Sequence, residues 1–445
     1  PYMGGKGMNP ALKDYAKATF PDSKTDLFAM FMERGFEWCK QSGFNSMVTM
    51  QSWMFLSSFE AMRESLLRNR TIETMAHLGS RAFSEITGEI VQTAAFVLLK
   101  NHTRGFKPVF FRLIDGIEDQ KRNGLLSGHN RFSEIQQGEL LRIPGSPIAY
   151  WTTSSIRQIF SNNTLLDDVA DVRQGLRTGD NDLFLRNWNE VSLAKVGFGY
   201  SDVASAHQSN KKWFPYNKGG SQRKWYGNND FLISFDADSY DILSRQGNKL
   251  PSRQYYFMPS VTWAGISGGD FSVRICEAGF VFDGTGSCLF NKGKYSLELF
   301  NALLNSNSVS HLLEIISPTI SFEVGHIKRI PVPPGNIEAA KDFSNQALKI
   351  SRLDWDSFET SWGFSGLFWS EPNKSGTLLN LSWEKWQELT QQRIDAMRDI
   401  EVRNNRIFIS AYGLQDELSP EVPESQITLA RADREKDSQR LISYA

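Results

Sequence analysis

The chain has 445 residues, 40% hydrophobic and 22% charged, with 12 Trp and 31 Phe, a composition that packs cores and excludes disordered, collagen-like and mucin-like classes. Lys plus Arg number 49 against 50 Asp plus Glu, so the net charge of −1 advertises no nucleic-acid partner, and any such partner must be read from local patches. The longest apolar run, Ala94 to Leu99, is too short for a membrane span, and Cys39, Cys276 and Cys288 form no CxxC or Cys/His cluster. A cytoplasmic protein with reduced thiols, no metal site and no membrane partner is the expectation.

Between Lys24 and Lys100 helix-like and strand-like segments alternate, as in parallel α/β construction. Thr25 is placed to cap a helix carrying Leu27, Phe28, Phe31, Met32 and Cys39 near 3.6-residue spacing, with Gly43 as its stop. Phe44 to Met50 reads as a buried strand. Ser57 and Glu60 stand at capping-box spacing before a helix with Met62, Leu66 and Leu67. Thr71 to Leu78 and Glu89 to Leu99 read as two more strands, and their short connection makes this pair antiparallel. A parallel sheet finished by one antiparallel strand follows.

Pro108 to Gly145, rich in charge and glycine, reads as a connector, with Pro144, Gly145 and Pro147 marking a boundary. From Ala149 to about Pro334, short β-like runs (Gly279 to Phe282, Ser321 to Val324, Arg329 to Val332) lie among Gly, Asn and Ser, as in a mixed α+β domain. Pro331, Pro333, Pro334 and Gly335 mark a second boundary. Beyond it Ile337 to Ile350 and Trp383 to Phe408 are helical, the latter with Trp386, Leu389, Ile394, Met397 and Ile400 on one stripe.

Gly4-Gly5-Lys6-Gly7, Gly265 to Gly269 and Gly284-Thr285-Gly286 lack the strand-loop-helix setting of a dinucleotide loop, and turn chemistry explains them better. Lys211, Lys212, Lys218, Arg223 and Lys224 occur without an acid and interleave with Trp213, Phe214, Tyr216 and Trp225. Such a segment serves a nucleic-acid groove, cations on phosphates and aromatics near bases, or equally a solvated basic loop over core aromatics. Val172 to Asn181 adds Arg173, Arg177, Thr178 and Asn181 in a turn whose backbone N–H groups could reach phosphates, or is an ordinary loop. The six histidines, His77, His102, His129, His207, His311 and His326, stand at no metal or triad spacing and read as structural. Asp167-Asp168 and Asp236/Asp238 read as surface turns.

Pro1-Tyr2-Met3-Gly4-Gly5, Asp26-Leu27-Phe28 and Leu78-Gly79 with Phe83 together resemble the amino-type DNA adenine-N6 methyltransferases, specifically the BREX phage-defence (PglX) branch and related single-chain restriction-modification enzymes. The family's catalytic motif is Asn-Pro-Pro-Tyr, and Pro1-Tyr2 resembles its last two residues. Its first Asn and Pro and the upstream glycine-rich S-adenosylmethionine loop are not in the sequence, so the chain alone is expected to be inactive. Ile143 to Trp151, Val172 to Phe184, Ser260-Val261-Thr262-Trp263 and Ser317 to Gly325 are similar to the family's target-recognition domain, and the tail resembles only the BREX branch, most in Asp416 to Pro423.

The resemblance implies the C-terminal half of a Rossmann-like α/β methyltransferase domain (1–107), a connector (108–148), an α+β target-recognition domain (149–335) and a helical C-terminal region (336–445). It implies that Tyr2 stacks on a flipped adenine, Phe83 contacts the base from the other side, and the Pro1 carbonyl accepts from its amino group, while Asp26, Leu27 and Phe28 line the methyl-donor site. Arg173, Arg177, Thr178, Asn181, Lys211, Lys212, Lys218, Arg223, Lys224 and Trp263 are then the DNA contacts. Double-stranded DNA, other BREX proteins and an acidic phage protein that mimics DNA are the implied partners. Two rivals stand beside this reading: a DNA-recognition subunit without catalysis, against which the strands at Phe44 and Val91 argue, and a non-DNA enzyme or interaction protein, for which the near-zero charge argues.

Overall fold

The computed structural model describes residues 2–84, 91–245, 250–266, 268–318, 321–368 and 379–444, which divide into two compact units, residues 1–162 with 313–318, and 163–312 with 319–445.

The first unit opens with helix α1 (Pro10–Thr19), capped by the Asn9 side chain, and α2 (Leu27–Trp38). Asp26, not Thr25, caps α2: its carboxylate accepts from Phe28 N and also from Met3 N, so one side chain starts the helix and pins the preceding segment. Strand β1 (Phe44–Met50), helix α3 (Glu60–Asn69), β2 (Thr71–Gly79), β3 (Thr93–Leu99), β4 (Val109–Arg112), α4 (Glu118–Ser127), β5 (Arg131–Phe132) and α5 (Ser154–Asn162) follow. The sheet order is β1-β3-β2-β4-β5. β3 runs antiparallel to both β1 and β2, and β4 is parallel to β2, so β1, β2 and β4 point one way. The antiparallel β3 is therefore inserted inside the sheet and does not finish it. β1 is an edge strand with Phe44 and Val48 exposed, where a buried strand was expected.

The stretch 108–148 is no connector, because β4 and β5 extend the sheet within it. Nor does Pro144-Gly145 end the unit. Fully buried Arg63 donates to the carbonyls of Trp53, Leu56, Gly145 and Ser146, and Ile148 N donates to Met54 O. Tyr150 stacks on Phe110 at 4.3 Å. A guanidinium has enough fixed donors to bind several carbonyls at once, which makes the 143–151 segment part of this core.

The second unit runs β6 (Thr164–Leu165), α6 (Leu166–Val169), β7 (Ala170–Arg173), α7 (Asn181–Phe184), β8 (Leu185–Asn187), α8 (Val203–Gln208), β9 (Trp213–Asn217), β10 (Phe231–Ser234), α9 (Ala237–Arg245), β11 (Ser260–Trp263), β12 (Val273–Cys276), β13 (Val281–Phe282) and β14 (Cys288–Asn291). Helix α10 (Leu297–Leu304), α11 (Asn307–Ile316), α12 (Val324–Lys328), β15 (Pro331–Val332), α13 (Ala339–Trp355), α14 (Leu379–Tyr412) and α15 (Arg434–Tyr444) complete the chain. Two four-stranded sheets form, β13-β9-β10-β8 and β12-β11-β14-β7. They meet where Gly175 lets the chain pass: a Cβ there would lie 2.0 Å from the Phe282 carbonyl oxygen, so no other residue fits. Helix α13 and the long α14 belong to this same unit, packing Ala347, Ile394, Met397 and Ile400 with Trp225 into one core.

Candidate nucleic-acid site

In sheets with parallel strands, ligands gather outside the carboxyl ends. Those ends in the first unit carry Gln51 after β1, His77 near the end of β2 and Arg112 closing β4, with His77 and Arg112 side by side in register. His77 Nε2 lies 2.8 Å from Gln51 Oε1 and Nδ1 3.2 Å from the Tyr150 hydroxyl, while Gln51 Nε2 donates to Gln92 Oε1 at 2.6 Å. Burial, then the nearby Arg112 and Lys121 charges, push the His77 pKa down to about 3, so the imidazole is neutral. The one pairing that uses its single proton is Nε2–H donating to Gln51 and Nδ1 accepting from Tyr150. Burial also raises the Tyr150 pKa, keeping its proton in place. The Arg112 guanidinium lies 5.1 Å from the half-buried Trp151 ring.

Tyr2 belongs to the same edge. Its hydroxyl donates to Val48 O at 3.3 Å near the end of β1, its ring lies 6.2 Å from that of Phe28, and 59% of it is exposed. Its hydroxyl is held while most of its ring surface stays open to solvent. Phe83 is 41% exposed, beyond the end of β2. Pro1 lies outside the described residues. Asp26, Leu27 and Phe28 are otherwise occupied: Asp26 caps α2 and binds Met3 N, Leu27 packs on Met8, Phe20 and Met30, and Phe28 is buried against Phe59.

In the second unit the expected DNA contacts separate into two groups. Arg223 pairs with buried Asp354 at 2.7 Å, Lys224 with buried Glu401 at 2.7 Å, and Trp225 Nε1 donates to the same Glu401 at 2.9 Å. Trp263 is fully buried and donates to Phe322 O. Arg173 pairs with Asp171 and stacks on Tyr255, and Lys211 donates to Ala194 O. Buried Thr178 is spent on Asn181. These placements correct the expectation for Arg223, Lys224 and Trp263, which hold the core and the helical tail and present nothing outward. Arg177 is exposed, with no ion pair or side-chain hydrogen bond among the described residues, and the ammonium groups of Lys212 and Lys218 meet only the rings of Trp213 and Phe231.

Arg177 and Lys218 stand on joined loops. Gln174 Nε2 donates to Gly284 O at 3.1 Å and Gly284 N to Leu176 O at 2.7 Å, while Thr285 Oγ1 lies 3.2 Å from Lys218 O. Asp283 organises the turn, accepting from Tyr216 OH at 2.6 Å and from Thr285 N and Oγ1 at 2.7 Å each. Fully buried Arg274 holds Gly219 O at 2.7 Å and, against its own desolvation, stays cationic, its pKa lowered to about 10.

Residues 1–83 match the Eco57I restriction-modification methylase family. The chain is 45% identical over 82% of its length to the adenine-specific methyltransferase BrxX of Escherichia coli O9:H4 (strain HS), and 38% identical over its whole length to the adenine-specific methyltransferase PglX of Lacticaseibacillus casei (strain Zhang). It is a homologue of the BrxX and PglX methyltransferases. It spans 30% and 38% of the length of these two relatives. The Type IIL restriction-modification enzyme MmeI, solved in complex with DNA, shares the fold at TM-score 0.51 and 11% identity, covering 94% of this chain and 56% of that one. Sequence reasoning took His77 as structural, placed Trp151 in a stretch likened to target recognition, and did not single out Gln51 or Arg112. Their signal was position at strand ends, which spacing along the chain hides.

Proposed function

We propose that the chain serves site-specific adenine-N6 methylation of double-stranded DNA in a BREX system, its first unit closing the base pocket and its second unit gripping the duplex. Homology to adenine-specific methyltransferases supports the reaction class. The observation that carries the reading is Tyr2, tethered through its hydroxyl at the carboxyl edge of the sheet with its ring left bare. Extruding a base costs a few kcal/mol, and stacking on an aromatic returns about 1–3 kcal/mol of it. Phe83 is the second aromatic free to touch the base.

S-adenosylmethionine is the methyl donor under this reading. Asp26, Leu27 and Phe28 do not fit as its ligands, because cap, core and Met3 N already occupy them, so no step is routed through the donor. DNA contacts fall to Arg177, Lys212 and Lys218, with other BREX proteins and an acidic DNA-mimicking phage protein as further proposed partners. The test is tritiated methyl transfer to duplex DNA by the enzyme carrying this sequence. Tyr2→Ala is expected to lower transfer at least about tenfold, in line with the stacking term, while duplex affinity stays within about twofold. Loss of affinity and transfer together makes Tyr2 a folding residue and sinks the reading.

A further inference from the structure

The first unit holds one cation whose surroundings call for an anion. Arg112 closes β4 at the ligand-side edge of the sheet, half buried, its guanidinium 5.1 Å from the Trp151 ring. Its Nε is buried without a partner, and no carboxylate pairs with it among the described residues. Its register neighbour His77 is held neutral, so the position carries a cation with no compensating charge on the adjoining strand. A partly desolvated, unpaired guanidinium is costly in a folded protein, and the cost is recovered when an oxyanion accepts from its free N–H groups.

We propose that Arg112, set over the Trp151 ring, is a phosphodiester-binding site for the DNA strand at the base pocket, an assignment that rests on the DNA reading above. Two observations choose a DNA phosphate over a small anion. Arg112 lies at the same carboxyl edge of the sheet as the bare Tyr2 ring, the edge that the flanking phosphates of an extruded nucleotide would follow under the DNA reading. The second unit, moreover, spends Arg173, Arg223 and Lys224 on its own carboxylates, which leaves Arg177, Lys212 and Lys218 there to share the neutralisation of a polyanion with Arg112. Guanidinium stacked on an aromatic is also a favoured pairing for strand binding.

The test is duplex binding by the 445-residue chain across a salt series. Wild type is expected to show salt-dependent binding. Arg112→Gln is expected to bind about tenfold more weakly at low salt, and its slope of log affinity on log salt is expected to be shallower by about 0.9, one phosphate contact. Arg112→Lys keeps the slope but, lacking the planar fork, loses about threefold in affinity. Trp151→Leu loses affinity at unchanged slope. Natively melting R112Q with the wild-type slope overturns the Arg112 site while leaving the DNA reading standing. No salt-dependent binding by wild type sinks the DNA reading and this site with it. Should R112Q not fold, R112K decides: wild-type affinity in that variant overturns the proposal.

Discussion

Lys224 sits in a stretch of cations free of acids, yet its ammonium meets Glu401 from a helix some 180 positions away in the chain, and the Trp225 indole donates to the same carboxylate. Removing one partner of a buried pair strands the other charge, at about 3–5 kcal/mol. Lys224→Ala is therefore expected to lower the melting temperature of the second unit by several degrees and to leave the salt slope of DNA binding unchanged. Calorimetry and a salt titration on one preparation check both halves. His77 yields a pH prediction. Its folded pKa, about 3, lies below the ordinary 6.5, so the unfolded chain binds a proton that the native state refuses. Its contribution to stability is complete above pH 6.5 and is lost as pH falls from there toward 3, by about 1.4 kcal/mol per unit from this group. His77→Gln, which retains a hydrogen-bonding side chain, should flatten the pH dependence of urea unfolding across that window; an unaltered slope contradicts the assigned protonation state.

The turn between β13 and β14 shows how an element decides what a residue can do. Asp283 accepts from Tyr216 and Thr285, which holds Thr285 beside Lys218 O and Gly284 beside Arg177. Burial and the Asp283 charge raise the Tyr216 pKa, so the phenol stays a donor. Asp283→Ala leaves that donor buried and unpaired, which costs about 1–3 kcal/mol and frees the joined loops. The expected outcome is weaker duplex binding with the slope per cation retained. Arg177→Ala and Lys218→Ala, in contrast, should each reduce the slope by about 0.9 without shifting the preferred sequence. A changed sequence preference in either variant reassigns that side chain to base contact. At this scale the periodicity of α2, α3 and α14 was legible in the sequence, because an apolar stripe at helical spacing is a local property. The inserted position of β3 was not, since strand order follows from which edges meet in space.

Over the whole molecule, a net charge of −1 gives no general attraction for a polyanion, so under the DNA reading affinity rests on local cations. If Arg112, Arg177, Lys212 and Lys218 each neutralise one phosphate, the slope of log affinity on log salt should lie near about −3.6. A slope steeper than about −6 means that cations outside this set carry the contact.

Composition and aromatic content determined by themselves that the chain packs cores, and the segment from Tyr2 to Phe83 carried the likeness to a methylase family, because such signals are written in consecutive residues. The tertiary structure alone decided which charges are free. Arg223 and Lys224 look available until Asp354 and Glu401 arrive from α13 and α14, and Trp263 looks like a contact until β11 takes it into the core. Only folding sets His77, Arg112 and Trp151 beside one another, from 74 positions of separated chain. Desolvation and pairing act through space, and the sequence fixes neither until its distant parts meet.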